Sequence, residues 1–353
     1  MKKIIALDGI RGIACLLVLW AHFPLLQGGI GFKYFHLASK ALYAGYIGVD
    51  IFFALSGFLI TRILLWEKEH NKFSYGNFYF KRFIRIFPVY YLVILLVGLI
   101  ISWSKLGWSA LYLSNYYFAF YDGENPLRHT WSLCVEQHFY MFWPFVISYF
   151  SVERSRKIIA YVIPAVAVIS AILALIFFDN GVQIINRVSN VRILTLCLGA
   201  LLAYNESKID SYSIKKPAFL AVLFLICTSA CHLAPTVPLM SFGRFIFSAA
   251  FSYYFLLSIL IMAFQGIHPR LLKFFDNSVM QFFGKISYGL YLFHLPILVY
   301  FGVSHMDNVD SVPVKLGLFI LMLCVLIPTL SYYLFEKPLL KIKNRYTIIK
   351  GQV

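Results

Sequence analysis

The sequence predicts an all-α fold, a polytopic transmembrane helix bundle of about ten spans with cytoplasmic N- and C-termini. Three observations predict it: the composition, the spacing of the apolar runs, and the distribution of Lys and Arg between them. Of 353 residues, 61% are apolar and only 13% are charged, and the mean hydropathy of +0.77 is far above that of an ordinary soluble domain. No stretch is long and polar enough to form a separate soluble domain, so residues 1–353 read as a single membrane domain with no fused soluble domain.

Apolar segments fall near 4–26, 46–66, 84–102, 131–150, 157–177, 190–205, 217–233, 243–265, 284–303 and 315–335, each near the length a span requires. The first follows Lys2 and Lys3 as a signal peptide would. Asp8 and Arg11 interrupt its run and no small-residue cleavage site follows, so it is expected as an uncleaved helix. Segment 190–205 is short enough to be tilted or partly re-entrant. Segment 108–120 is aromatic but too short to span, and fits an interfacial or re-entrant piece ahead of 131.

Charge tests this layout, because cytoplasmic loops collect Lys and Arg. One side holds 21 of the 31 basic residues and the other 8, including Lys33, Lys40, Arg187, Arg192 and Arg244, with Arg11 and Arg62 inside spans. The bias puts both termini in the cytoplasm and supports ten spans. It also accounts for the net charge of +16 without nucleic acid, which is not expected as a partner; membrane lipids are. The six cysteines sit inside apolar runs without CxxC spacing, so neither disulfides nor a metal site is expected. Trp103, Trp108, Tyr112, Tyr116, Tyr117 and Tyr121 gather in the outer loop region as an aromatic belt, with a stacking surface for sugar rings as the sharper alternative.

The first helix is the chemically unusual one. Arg11 and His22 are eleven residues apart, which at about 100° per residue is three turns plus roughly 20°, so both project from nearly the same face about 16 Å apart along the axis. Asp8, three residues before Arg11, can pair with it. An ionisable residue inside a span costs about 2.5–3.5 kcal/mol on insertion scales and usually faces a polar interior. A guanidinium snorkelling to the headgroups and an imidazole in an interhelical hydrogen bond are the bland alternatives, and neither explains the shared face. A ligand with phosphates at one end and a reactive group on a long flexible arm fits the spacing. Coenzyme A has that shape: its phosphates suit the Arg11 fork and its arm could carry a thioester toward His22, where a neutral imidazole would act as general base.

Five segments resemble the acyltransferase-3 family of membrane acyltransferases. LDGIRGIACLLVLWAHF is similar to its Arg-x10-His motif, with Arg11 and His22 in the matching places, and GYIGVDIFFALSGFLIT from Gly45 to its GVD-FF-SGFLI segment. KRFIRIFPVYY from Lys81 resembles the R-x-x-R stretch, HTWSLCVEQHFYMFWP from His129 the WSL-x-x-E-x-x-FY motif, and ISYGLYLFHLPI from Ile286 the SY-x-LYL-x-H-x-P element. The resemblance implies transfer of an acyl group, usually acetyl from acetyl-CoA, to a hydroxyl of a glycan or lipid-linked saccharide at the bacterial cytoplasmic membrane. Some relatives carry a fused extracytoplasmic esterase-like domain. None is visible here, so the chain is expected to complete the transfer itself or with a separate partner protein.

Within this frame Arg82 and Arg85, three apart at the cytoplasmic boundary, are expected to hold the donor's phosphates with Arg11, although topology alone also accounts for them. Glu136 lies inside a span and needs a partner, either orienting His22 or neutralising an arginine, with an independent base as the lesser reading. Asp50, His129, Trp131, Ser132 and His294 are candidates for acceptor binding or pore lining, each with a structural alternative: a cap or interhelical bond for Asp50, an interfacial ring for Trp131, a satisfied imidazole beside Pro296 for His294. Close helix packing accounts for Ser56 and Gly57 better than a serine nucleophile does. Tyr288 and Tyr291 read as packing or cavity lining. A covalent acyl-histidine stays open. No permanently bound cofactor is expected, only acyl-CoA as donor substrate. Two rivals remain, a transporter of a polar solute, for which paired broken helices are missing, and an acyltransferase of the same fold acting on a small cytoplasmic acceptor.

Overall fold

The computed structural model describes residues 4–23, 44–121, 125–233, 238–303 and 313–345. Residues 24–26 of the first expected segment, and Lys2, Lys3, Lys33, Lys40 and Lys350 from the charge count, lie outside them. Among the described residues every regular element is helical. The long helices are α1 (Ala6–His22), α2 (Ala44–Glu69), α3 (Tyr75–Ile100), α4 (Trp131–Tyr149), α5 (Val152–Phe177), α6 (Ser189–Tyr204), α7 (Lys215–Leu233), α8 (Pro238–Gln265), α9 (Ser278–Tyr300) and α10 (Val314–Ser331). Each of the ten expected segments thus contains one.

Among the described residues, eight helices are long and apolar enough to cross a membrane. α1, at 17 residues, is too short for that criterion, and α4 carries the polar run Glu136-Gln137-His138. The helix Gly181–Arg187 precedes α6, separated from it by the extended residue Val188, and the two together give a 24-residue stretch of spanning length. The 108–120 segment forms two short helices, Leu106–Ala110 and Ser114–Phe120. Tyr90 and Tyr91 of α3 pin the first by donating to the carbonyls of Ser109 and Ala110, 2.8 Å each.

α2 is the central helix. Its apolar window is 83% buried, against 22% for α5 and 17% for both α7 and the last helix, so the latter three face outward while α2 is enclosed on all sides. Small residues allow that enclosure. A Cβ added at Gly57 would meet the Leu196 carbonyl oxygen at 1.8 Å, and one added at Gly199 would meet that of Ala54 at 1.9 Å, so α2 and α6 cross backbone to backbone, as close-packed membrane helices do. α1 lies against α2 and α9. Arg187, Arg192 and Arg244, expected as outer-loop charges, are buried on helices.

Candidate active site

Five helices, α1, α2, α3, α4 and α9, line a cavity that opens to the outside of the bundle. Helical periodicity sets its lining. On α4, Ser132, Glu136 and Tyr140 recur every fourth residue and share one face; on α2, Val49, Phe52, Ser56, Leu59 and Ile63 do the same at three- and four-residue steps. Arg11 enters from α1, Arg82 and Arg85 from α3, and Ser287, Tyr288 and Tyr291 from α9.

The end nearest Tyr140 is cationic. Arg11 pairs with Asp8 at 3.0 Å, as its spacing predicts. The Arg82 guanidinium lies 5.7 Å from the Tyr140 ring and 5.9 Å from that of Phe78. Nε of Arg82 and one Nη of Arg85 are buried without a hydrogen-bond partner among the described residues. A guanidinium N–H removed from water costs free energy unless an acceptor meets it. Three arginines therefore line one cavity with Glu136, Arg11 already paired with Asp8 and the other two without a carboxylate at ion-pair distance, and the complement is an anion.

Glu136 occupies the middle. Its Oε1 accepts hydrogen bonds from the Tyr140 hydroxyl, at 2.5 Å, and from Ser56. The carboxylate does not touch His22, so the expected orientation of that imidazole by Glu136 is replaced by a partnership with two hydroxyls. Ser56 corrects the packing reading too. Neighbours on a helix point about 100° apart; Gly57 turns to the α6 crossing and Ser56 to the cavity.

The histidines lie behind the Ser132 and Tyr291 wall of the cavity. The Tyr291 hydroxyl donates to the His129 carbonyl at 2.7 Å and lies 2.6 Å from Ser132 Oγ, so this pair links the cavity to what lies behind it. There the His129 ring sits 5.2 Å from that of Tyr291 and 4.9 Å from that of His294, and His294 sits 5.1 Å from His22. His22 Nδ1 is 2.8 Å from the Val18 carbonyl oxygen. A carbonyl only accepts, so Nδ1 carries the proton of the neutral ring and Nε2 keeps a lone pair. His294 is held likewise by the carbonyls of Leu290 and Tyr291. Nε2 of His294 and both ring nitrogens of His129 are buried without partners among the described residues. The two ends of the α1 stripe thus serve different places: Arg11 the cavity, His22 the imidazole cluster beyond Tyr291.

Asp50 and Trp131 are not brought to the cavity lining. Asp50 is fully buried and bonded to Arg192 at 2.5 Å, Thr195 at 3.2 Å and Ser248 at 2.6 Å. Arg192 in turn lies under the rings of Phe53, Trp131 and Phe245, 5.4–5.7 Å from their centres. This structural knot ties α2, α6 and α8 together and explains both residues better than acceptor binding does. Arg192 carries no local signal that would single it out in sequence, and Tyr140 carries only its place at the end of the WSL-x-x-E-x-x-FY motif.

A provisionally named O-acetyltransferase of Staphylococcus aureus strain COL is 28% identical over 97% of this chain and 58% of its own length. The O-acetyltransferase OatA of Staphylococcus aureus strain NCTC 8325 is 28% identical over 95% of the chain and 57% of its own length. The peptidoglycan O-acetyltransferase OatA of Listeria monocytogenes is 26% identical over 84% and 50%. The chain spans about half the length of these curated relatives. No solved structure matches it significantly. The family profile described as an acyltransferase domain matches residues 4–335, and on that match the chain belongs to the acyltransferase-3 family.

Proposed function

We propose that this chain is a membrane O-acyltransferase that takes an acetyl group from acetyl-CoA and transfers it to a hydroxyl of an envelope glycan, at the cytoplasmic membrane of a bacterium. The observation that carries this reading is the pair of buried N–H groups without an acceptor, Nε of Arg82 and one Nη of Arg85, in a cavity whose Ser132 and Tyr291 wall backs onto the cluster of His129, His294 and His22. Phosphates of the donor would rest on Arg11, Arg82 and Arg85, entering from the cytoplasmic side where both termini lie. Its thioester arm would run along the α2–α4 face past Ser56 and Glu136. The acceptor hydroxyl would arrive at the histidine cluster, where Nε2 of His22 removes its proton and His129 and His294 offer further polar contacts. The relatives named for O-acetyl transfer, one of them to peptidoglycan, support the choice of acyl group and acceptor class.

The test compares envelope glycans from cells with and without the protein for ester-linked acetyl groups, alongside turnover of acetyl-CoA by the purified protein in lipid nanodiscs. The expected result is acetyl ester that disappears with the gene and returns with it. Unchanged glycan acetylation together with acetyl-CoA turnover on a small hydroxylated or amine acceptor would shift the acceptor to the cytoplasm. A protein that neither binds nor consumes acetyl-CoA would overturn the reading.

A further inference from the structure

Hydroxyls within these helices usually turn back on their own backbone. Thr228 donates to the Phe224 carbonyl, Ser229 to Leu225, Ser258 to Tyr254 and Thr329 to Val325, each four residues back, the ordinary way a helical hydroxyl is satisfied away from water. Ser56 does not. Its hydroxyl crosses from α2 to the Glu136 carboxylate on α4, on the wall of the cavity that holds Arg82 and Arg85. A hydroxyl that donates to a carboxylate, beside an open space lined by cations, has the two elements of an activated nucleophile, the base and room for an electrophile.

We infer that Ser56 is the acyl carrier of this protein: it receives the acyl group from the donor thioester and then passes it to the acceptor. The inference rests on the donor reading above. In the first half, Ser56 Oγ adds to the thioester carbonyl carbon and its proton passes to Glu136 Oε1. The carbon–sulfur bond breaks, and the thiolate leaves with the proton from Glu136, so the products are an ester on Ser56 and a free thiol. In the second half, the acceptor hydroxyl adds to that ester and gives its proton to His22. The carbon–Oγ bond breaks and Oγ regains a proton from the imidazolium, restoring both residues. No other reactant is required. Tyr140, which shares Oε1 with Ser56, is a positioning residue for the carboxylate.

The acyl ester lets the donor leave before the acceptor arrives, so the kinetics are ping-pong.

The experiment incubates the full chain in lipid nanodiscs with radiolabelled acetyl-CoA and no acceptor, quenches in acid, and maps label by mass spectrometry. Wild type and His22→Ala should carry stoichiometric acetyl on the peptide containing Ser56, with His22→Ala unable to discharge it. Ser56→Ala should carry none there and lose transfer by roughly 100-fold or more while still binding acetyl-CoA. Should Ser56→Ala fail to fold, Ser56→Cys, close to serine in size, should hold the acetyl as a thioester released by neutral hydroxylamine. Wild type that consumes acetyl-CoA with no acetyl on Ser56, or Ser56→Ala that transfers at the wild-type rate, would establish direct transfer and leave the donor reading intact. Wild type that does not bind acetyl-CoA would end both readings.

Discussion

Two groups of arginine with guanidinium nitrogens buried in the bundle differ in what meets them. Arg192, 1% exposed, has the Asp50 carboxylate at 2.5 Å, and Asp50 is itself held by Thr195 and Ser248. Arg82 and Arg85 have no carboxylate at ion-pair distance among the described residues; each has a buried N–H without an acceptor, as Arg192 has at Nε, but these two arginines line the cavity and Arg192 does not. Both arrangements carry a desolvation cost. The first recovers it within the fold, by an ion pair and three aromatic faces; the second leaves it open to a ligand. Burial of a charge therefore does not by itself mark a binding site in a membrane protein. The state of its partners does.

The largest effect should come from breaking the closed knot. Asp50→Ala leaves the Arg192 charge buried and unpaired, a loss of about 3–5 kcal/mol, seen as a lower unfolding temperature in detergent and poor recovery of folded protein. Adding Arg192→Met should restore most of that stability, since removing both charges removes the penalty with them. If Asp50→Ala were as stable as wild type but lost acceptor transfer, Asp50 would belong to the site and the contrast with Arg82 would collapse.

His22→Ala should leave stability and acetyl-CoA affinity nearly intact and lower transfer to the acceptor by about 10²- to 10⁴-fold, the range for a general base. Full transfer by this variant would remove the base from α1. Arg82→Ala and Arg85→Ala come next. Each should weaken acetyl-CoA binding by about 1.5–3 kcal/mol, the worth of a hydrogen bond to a charged group, measured by titration, with stability unchanged or slightly raised. That last sign is the opposite of Asp50→Ala, and it is the sharpest form of the comparison: the open arginines serve the ligand and the closed one serves the fold.

The helices were legible because an apolar run is a local property of composition: each of the ten expected segments contains a long helix, and among the described residues eight helices are long and apolar enough to cross a membrane. The Arg11 and His22 stripe was legible for the same reason, being arithmetic within one helix. What could not be read were partners chosen across the bundle. Ser56 and Glu136 are 80 residues apart in sequence, and Asp50 and Arg192 are 142 apart; no periodicity connects them. Ser56 and Gly57 show the limit most directly. Adjacent small residues invite one packing explanation, yet only Gly57 needs closeness to α6, and the rotation to its neighbour turns Ser56 toward Glu136. Likewise the charge count put Arg192 with loop residues, because a basic residue near a span's end and one paired inside the bundle look alike in sequence.

The smallest expected effect concerns the join between the cavity and the histidine cluster behind it. Tyr291 lines the cavity, bonds Ser132 and the His129 carbonyl through its hydroxyl, and sets its ring 5.7 Å from that of His294. Tyr291→Phe keeps the ring and deletes those bonds. A hydrogen bond of this kind is worth about 0.5–1.5 kcal/mol, so transfer to the acceptor should fall several-fold to tenfold while acetyl-CoA affinity holds. The split is the informative part. If donor binding fell as well, the hydroxyl would be shaping the whole cavity rather than its join to the histidine cluster. If neither changed, Ser132 and the His129 carbonyl would be satisfied without it, and the route from the arginines to His22 would have to run past a different side chain.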